Sequence, residues 1–262
     1  MKRLLIGMCA LSLVACSSDD PQGTSSENSA TAEATELTVF AGSSLTAAFT
    51  DEIGPAFEAA NEGTTVVFNF GASDSLAGQI QSEGSADVFA SASVTWMDAV
   101  EEDPGVSDRG DFVKNRLVII TPPDNPAGIA SIDDLAASGV QLVLAAEGVP
   151  VGDYARESLG NAGILAEAEA NVVSNEEDNA SVVAKIAAGE ADAGIVYESD
   201  ISAAAGNDVA AVEIPEDVNV IATYPIAVVT GASNAELAAA FVAYVMGSEG
   251  QVTLTEYGFE AI

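Results

Sequence analysis

The sequence contains no histidine, only seven Lys+Arg against 41 Asp+Glu, two cysteines and one tryptophan among its 262 residues. Each shortage excludes something. Without His, the commonest zinc ligand and every triad of the Ser-His-Asp kind are missing. A formal net charge of −34 argues against DNA or RNA partners, which are held by clustered Lys/Arg that displace counterions. The shortage of side-chain bases makes an enzyme the poorer expectation. Hydrophobic residues nevertheless make up 48% of the chain, enough for a packed core, so the acidity is not that of a disordered chain. The length fits one large domain or two of about 100–150 residues each.

The first 15 residues read as a targeting signal. Lys2 and Arg3 open it, and Leu4 to Val14 form an apolar run too short for a bilayer, which needs roughly 20 residues. Leu13-Val14-Ala15-Cys16 looks like a bacterial lipoprotein cleavage box, which would make Cys16 the lipidated first residue of the mature chain. The alternative is an ordinary signal peptide that happens to contain a Cys. Cys9 lies in the part removed, so no disulfide is expected. With Lys2 and Arg3 also lost, five basic residues would face 41 acidic ones, a net −36. Residues 16–35, rich in Ser, Thr, Asp, Glu and Ala after Cys16, read as a solvated tether. The folded body is then 36–262.

Within that body, short apolar runs alternate with helical patterns. Strands are expected at 37–40, 66–70, 87–90, 117–121, 141–145, 171–173, 194–197 and 222–229. Helices are expected at 45–60 (interrupted near Pro55), 75–81, 96–100, 131–137, 153–161, 179–189 and 235–245. Alternation of this kind indicates an α/β protein with mostly parallel sheets flanked by helices. One doubly wound sheet is an alternative. A second β/α series starting at KNRLVIIT (114–121) and a returning strand at ATYPIAVV (222–229) favour two lobes joined by two crossovers. Their expected boundaries are 36–114 with 222–262, and 115–221.

Four positions share one pattern, in which a strand ends and a small or polar residue opens a helix. They are Ala41-Gly42-Ser43-Ser44-Leu45, Gly71-Ala72-Ser73-Asp74-Ser75, Gly148-Val149-Pro150-Val151-Gly152 and Glu177-Asp178-Asn179-Ala180. Such loops gather at the carboxyl edges of strands, where α/β folds bind ligands. A helix start offers unpaired N–H groups and the positive end of its dipole, and therefore favours anions. Ser hydroxyls add donors without charge. Any one of these loops taken alone reads better as a helix cap. Tyr154, Arg156 and Trp96 read as surface, core or inter-lobe residues, and Glu176-Glu177-Asp178 as a solvated face, not a divalent-metal site.

VFAGSSLTAAF, VVFNFGASDSLAGQI, ADVFASASVTWMD, VPVGDYARESL and AGIVYESD occur in this order. Together they resemble the molybdate-binding proteins of bacterial ABC importers, over about Leu37 to Phe259. The resemblance implies a two-lobed periplasmic-binding-protein fold of type II. It also implies a tetrahedral oxyanion held between the lobes by Ser hydroxyls, backbone N–H groups and a Tyr hydroxyl. Carried over, these donors fall on Ser44, Ser73, the amides of Val151 and Asn179, and Tyr197. Ser43 stands where the family often has Ala, as an extra donor or a bystander. Asp74 beside Ser73 would repel an anion unless it pointed to solvent and complemented the helix dipole. Asn179 replaces a commonly apolar residue.

The implied protein performs no catalysis and needs no cofactor. It would capture molybdate, with tungstate as a second ligand, and touch the metal only through its oxygens. It would act as a monomer anchored by lipid on Cys16 at the outer face of the cell membrane and deliver the ion to a membrane permease. Binding of sulfate or another oxyanion is the nearer rival. An extracytoplasmic hydrolase using Ser44 or Ser73 is the remote one.

Overall fold

The computed structural model describes residues 35–204 and 208–262, so the targeting signal, Cys16 and nearly all of the tether lie outside the described residues. Residues Glu33–Ile262 form one compact unit. Its strands are β1 (Thr35–Gly42), β2 (Thr64–Gly71), β3 (Val88–Ala90), β4 (Val106–Thr121) and β5 (Leu142–Ala145). They continue with β6 (Val172–Glu176), β7 (Ala193–Tyr197), β8 (Ala210–Glu213), β9 (Ile221–Val229) and β10 (Glu260–Ala261).

The strands order as β2-β1-β3-β9-β4-β7-β5-β6, with β8 and β10 also pairing β4. The parallel pairs are β1 with β2 and β3, and β5 with β6 and β7. The ladders made by β4 and β9 are antiparallel. The result is a mixed sheet system, in which the parallel groups β2-β1-β3 and β6-β5-β7 are linked through antiparallel ladders of β9 and β4.

β4 does the joining. Residues up to Arg116 pair with β9, and from Leu117 the same strand pairs with β7. Its apolar run Leu117–Thr121 is buried throughout, as expected of a strand covered on both faces. The half holding β1, β2, β3 and β9 is packed by Phe49, Phe57 and Phe241, whose rings meet edge-on at 5.1–6.0 Å. A smaller cluster around Phe40, Leu76, Phe89 and Met97 lies on the other face of that sheet. The second half buries Leu142–Ala145 and Ala193–Tyr197 entirely, in keeping with their unbroken apolar runs.

Local departures from the expected elements have identifiable causes. The helix expected over 45–60 is broken into a 3-10 turn (Ser43–Leu45), a single α turn (Thr46–Ala48), a π turn (Phe49–Ile53) and a final helix (Gly54–Ala60). Pro55 lies in the first turn of the last piece; it has no N–H to continue the ladder, and the π turn absorbs the misfit. Residues 132–136 form a 3-10 turn closed by a Ser131–Asp134 capping box. The helices Leu165–Glu169, Glu198–Ala204 and Ser248–Glu256 and the strands β8 and β10 carry apolar periods too short or too weak to read in the sequence. Among the described residues, no helix is long and apolar enough to cross a membrane.

Candidate functional site

The carboxyl ends of β1, β2 and β5, the helix start after β6 and the end of β7 converge on one small pocket. Ser43, Ser73, Val151, Asn179 and Tyr197 line it, and its remaining walls are glycines, alanines, a valine and a proline. Among the described residues, no charged side chain lines it. Ser44 instead faces an adjoining cleft of about 550 Å³, which shares Ser43 and Asn179 with the pocket.

Each wall follows from its local sequence. Gly42 ends β1, and a Cβ there would meet the Ala92 Cβ at 3.3 Å and the Ser73 Oγ at 3.6 Å. Ser73 starts an 11-residue helix without capping it. Its Oγ accepts from the Ala92 N–H at 2.9 Å, which leaves the hydroxyl proton to donate elsewhere. On the second half, Pro150 and Val151 form the first turn of the Pro150–Asn161 helix, where the missing Pro N–H costs nothing. Gly152 makes that turn possible, because a Cβ would lie 2.3 Å from the Ala146 carbonyl oxygen. Arg156 ties the loop down by donating to the carbonyls of Ala145 and Gly152 and pairing with Glu169. Asp178 caps the Asn179–Ala187 helix by accepting from the Ser181 N–H at 2.8 Å, so Asn179 opens it.

Tyr197 is 1% exposed, and its hydroxyl is buried with no hydrogen-bond partner. Burial above all, then the nearby Tyr224 and Tyr154 hydroxyls, pushes its pKa well above the ordinary tyrosine value. The group is therefore a neutral donor at every physiological pH. An orphaned buried hydroxyl is costly unless something else satisfies it. Together, the pocket offers a Ser hydroxyl, a Tyr hydroxyl and two helix starts to a guest. That is a donor set for an anion, assembled without a cation. Arg109, Arg116, Arg156 and Lys185 all pair with carboxylates elsewhere.

A profile of bacterial extracellular solute-binding proteins matches residues 37–260. The chain belongs to that family. A molybdate-binding protein ModA of Mycobacterium tuberculosis is 38% identical, with 98% of this chain and 95% of the relative covered. The ModA of Escherichia coli is 34% identical, over 88% of this chain and 91% of its own. Among solved structures, the substrate-binding domain of a putative molybdenum ABC transporter from Clostridium difficile superposes with a TM-score of 0.67 at 29% identity. That match covers 87% of this chain and 99% of the other.

Other groups in this solute-binding protein fall as follows. Asp74 is half-buried, with Oδ1 out of contact with any donor, instead of pointing freely to solvent. Burial raises its pKa, the amides of Ser75 and Asp74 itself oppose the rise, and Asp153 on the other half adds to it. It does not line the pocket. Trp96 donates through Nε1 to the Gly148 carbonyl at 3.0 Å, and the Tyr154 hydroxyl lies near Ser93. Both contacts link the two halves. Glu176 pairs with Lys185 and Asp178 serves as a cap, while Glu177 is exposed. No cluster of three or more metal-ligating side chains occurs among the described residues.

Sequence reasoning missed a buried polar network behind the pocket. Ser44 pairs with Tyr224, Asn115 donates to Ser199 at 2.8 Å, and Asn179 donates to Asp200 at 2.6 Å. Asp200 also accepts from the Tyr197 N–H. The stretch VYESD did contain Asp200, but nothing in it shows that the carboxylate turns inward.

Proposed function

We propose that this protein captures molybdate, and tungstate with it, in the pocket between its two halves and hands the ion to an ABC permease. The single observation that supports it most is the unpartnered, permanently protonated Tyr197 hydroxyl in a pocket of neutral donors. Tyr197, the Ser73 hydroxyl and the amides of Val151 and Asn179 are the ligand donors. Ser44 joins them from the adjoining cleft. The moving lobes are 36–114 with 222–262, and 115–221, hinged where β4 changes partner. Capture of molybdate by the related ModA proteins supports this choice of ion.

Molybdate, tungstate and sulfate are all tetrahedral dianions at neutral pH, so cavity size is the selector among them. Phosphate usually carries a proton and needs an acceptor, which a pocket of donors does not supply. Lipid on Cys16 would hold the protein at the outer face of the membrane. No covalent chemistry is expected. A nucleophilic Ser needs a base within hydrogen-bond reach, whereas Ser44 pairs with a tyrosine hydroxyl and Ser73 accepts from a backbone amide.

Calorimetry with molybdate, tungstate, sulfate and phosphate tests this reading. The expected order is molybdate and tungstate tight, sulfate at least tenfold weaker, phosphate undetectable. Equal affinity for sulfate would overturn the selectivity. No heat and no thermal shift with molybdate would overturn the function, since a ligand of the native state raises the unfolding midpoint.

A further inference from the structure

Two side-chain hydrogen bonds link the two halves beside the pocket. Trp96 donates to the Gly148 carbonyl, and the Ser43 hydroxyl donates to the Asn179 Oδ1. The second differs from the first because both partners line the pocket itself. It is also fixed from behind. Asn179 donates through Nδ2 to Asp200 Oδ1 at 2.6 Å, and Asp200 Oδ2 accepts from the Tyr197 N–H at 3.0 Å. A carboxylate on the amide nitrogen forces the amide oxygen toward Ser43. A serine hydroxyl has one proton to give, and here it is given across the gap.

We infer that Ser43 and the Asn179 side chain form a clasp that draws the two halves together at the pocket, so that Ser43 positions the site and does not donate to the ligand. This rests on the proposed function in one respect: the halves must part to admit an anion. The clasp makes a closed, preorganised pocket more populated before the anion arrives. Apparent affinity scales with the fraction of molecules in the binding-competent state. One hydrogen bond between neutral groups shifts such an equilibrium by about 2- to 10-fold. Removing the Ser43 hydroxyl should therefore weaken anion binding by up to that factor, through the open state and not through a lost ligand contact.

The chain's single tryptophan is a built-in reporter. Trp96 is half-buried and bonded to the opposite half, so opening exposes it to acrylamide. The test compares anion-free full-length protein with Ser43→Ala, Asn179→Ala, the double variant and Ser43→Thr, each checked for native far-UV circular dichroism. Both single Ala variants are expected to raise Trp96 quenching. The double variant should raise it no further than the larger single effect, and Thr should restore the wild-type value. Unchanged quenching in Ser43→Ala overturns the clasp. So does a Ser43→Ala variant that binds molybdate more weakly with unchanged anion-free quenching, since that marks a direct ligand donor. If the wild-type protein binds no molybdate, the proposed ligand falls, and the anion-free quenching still decides for or against the clasp.

Discussion

The Ser44 Oγ lies 2.9 Å from the Tyr224 hydroxyl, joining two buried side chains 180 residues apart. Asn115 Nδ2 approaches the same Tyr224 oxygen at 3.4 Å. An amide nitrogen only donates, so the Tyr224 oxygen accepts from it and the Tyr224 proton is available for Ser44. A Tyr224 proton given to Ser44 leaves the Ser44 proton to point into the cleft. Tyr224 itself is wedged between Tyr197, Phe112 and Phe259, with ring centroids 5.6–6.4 Å apart. The returning strand β9 thus sets the orientation of a serine on the first strand–helix junction. Replacing Tyr224 by Phe keeps the ring and removes the bond. Urea unfolding should show a loss of about 1 kcal/mol, and calorimetry a several-fold weaker anion affinity.

Tyr197→Phe should behave in the opposite way toward stability. The wild-type hydroxyl is buried without a partner, so deleting it removes a desolvation cost and breaks no bond. Anion-free stability is expected to stay level or to rise by about 1 kcal/mol. Molybdate affinity should fall by roughly 10- to 100-fold, the worth of a hydrogen bond to a charged acceptor. Differential scanning calorimetry without the anion and titration with it give the two signs. A variant that lost both stability and affinity would place Tyr197 in the scaffold and not among the ligand donors.

Asp200 provides a pH signature. Burial lifts its pKa from 3.8 to about 7, against the lowering effect of the Tyr197 amide and the Asn179 side chain, while Asp178 adds to the rise. Asp208 lines the same cleft. The folded state therefore holds a proton that the unfolded state releases near pH 4. The stability this confers is fully present below the unfolded value and is lost as pH rises through about 7. Acid–acid repulsion elsewhere has the same sign, so the difference from Asp200→Asn is the quantity to measure. Wild type minus variant should decline between about pH 4 and 7 and level off above it, by urea unfolding at half-unit steps. A flat difference would mean that Asp200 stays ionised throughout.

Much of the pocket was legible because its walls are local. Ser73, Val151 and Asn179 each sit where a strand hands over to a helix, and that handover is written in a few neighbouring residues. The same holds for the buried runs in β5 and β7. What could not be read is whatever depends on distant parts of the chain. Ser43 with Asn179 and Ser44 with Tyr224 are pairs separated by 136 and 180 residues, and no period or motif relates them. The direction of β4 and β9 was hidden for the same reason. An apolar run of the kind at Leu117–Thr121 looks alike whether its neighbours run parallel or antiparallel. Asp74 shows the limit from another side. A carboxylate on a first helical turn normally complements the dipole in water, and here one of its oxygens is buried without a partner.

The 41 acidic residues bear on how an anion reaches this pocket more than on how it is held there. The pocket has no charged lining, so a bound dianion meets neutral donors at close range. At physiological salt the screening length is about 8 Å, and most surface carboxylates are muted at that depth. During approach from solution the whole negative surface acts together and opposes encounter. Added salt should weaken that repulsion and leave the short-range donors nearly unchanged. The expectation is an association rate that rises, or at least does not fall, between about 20 and 200 mM NaCl, with a dissociation rate that barely moves. Stopped-flow Trp96 fluorescence with molybdate measures both. A steep fall in association rate with salt would require a local cationic funnel. The pairing of Arg109, Arg116, Arg156 and Lys185 with carboxylates argues against one.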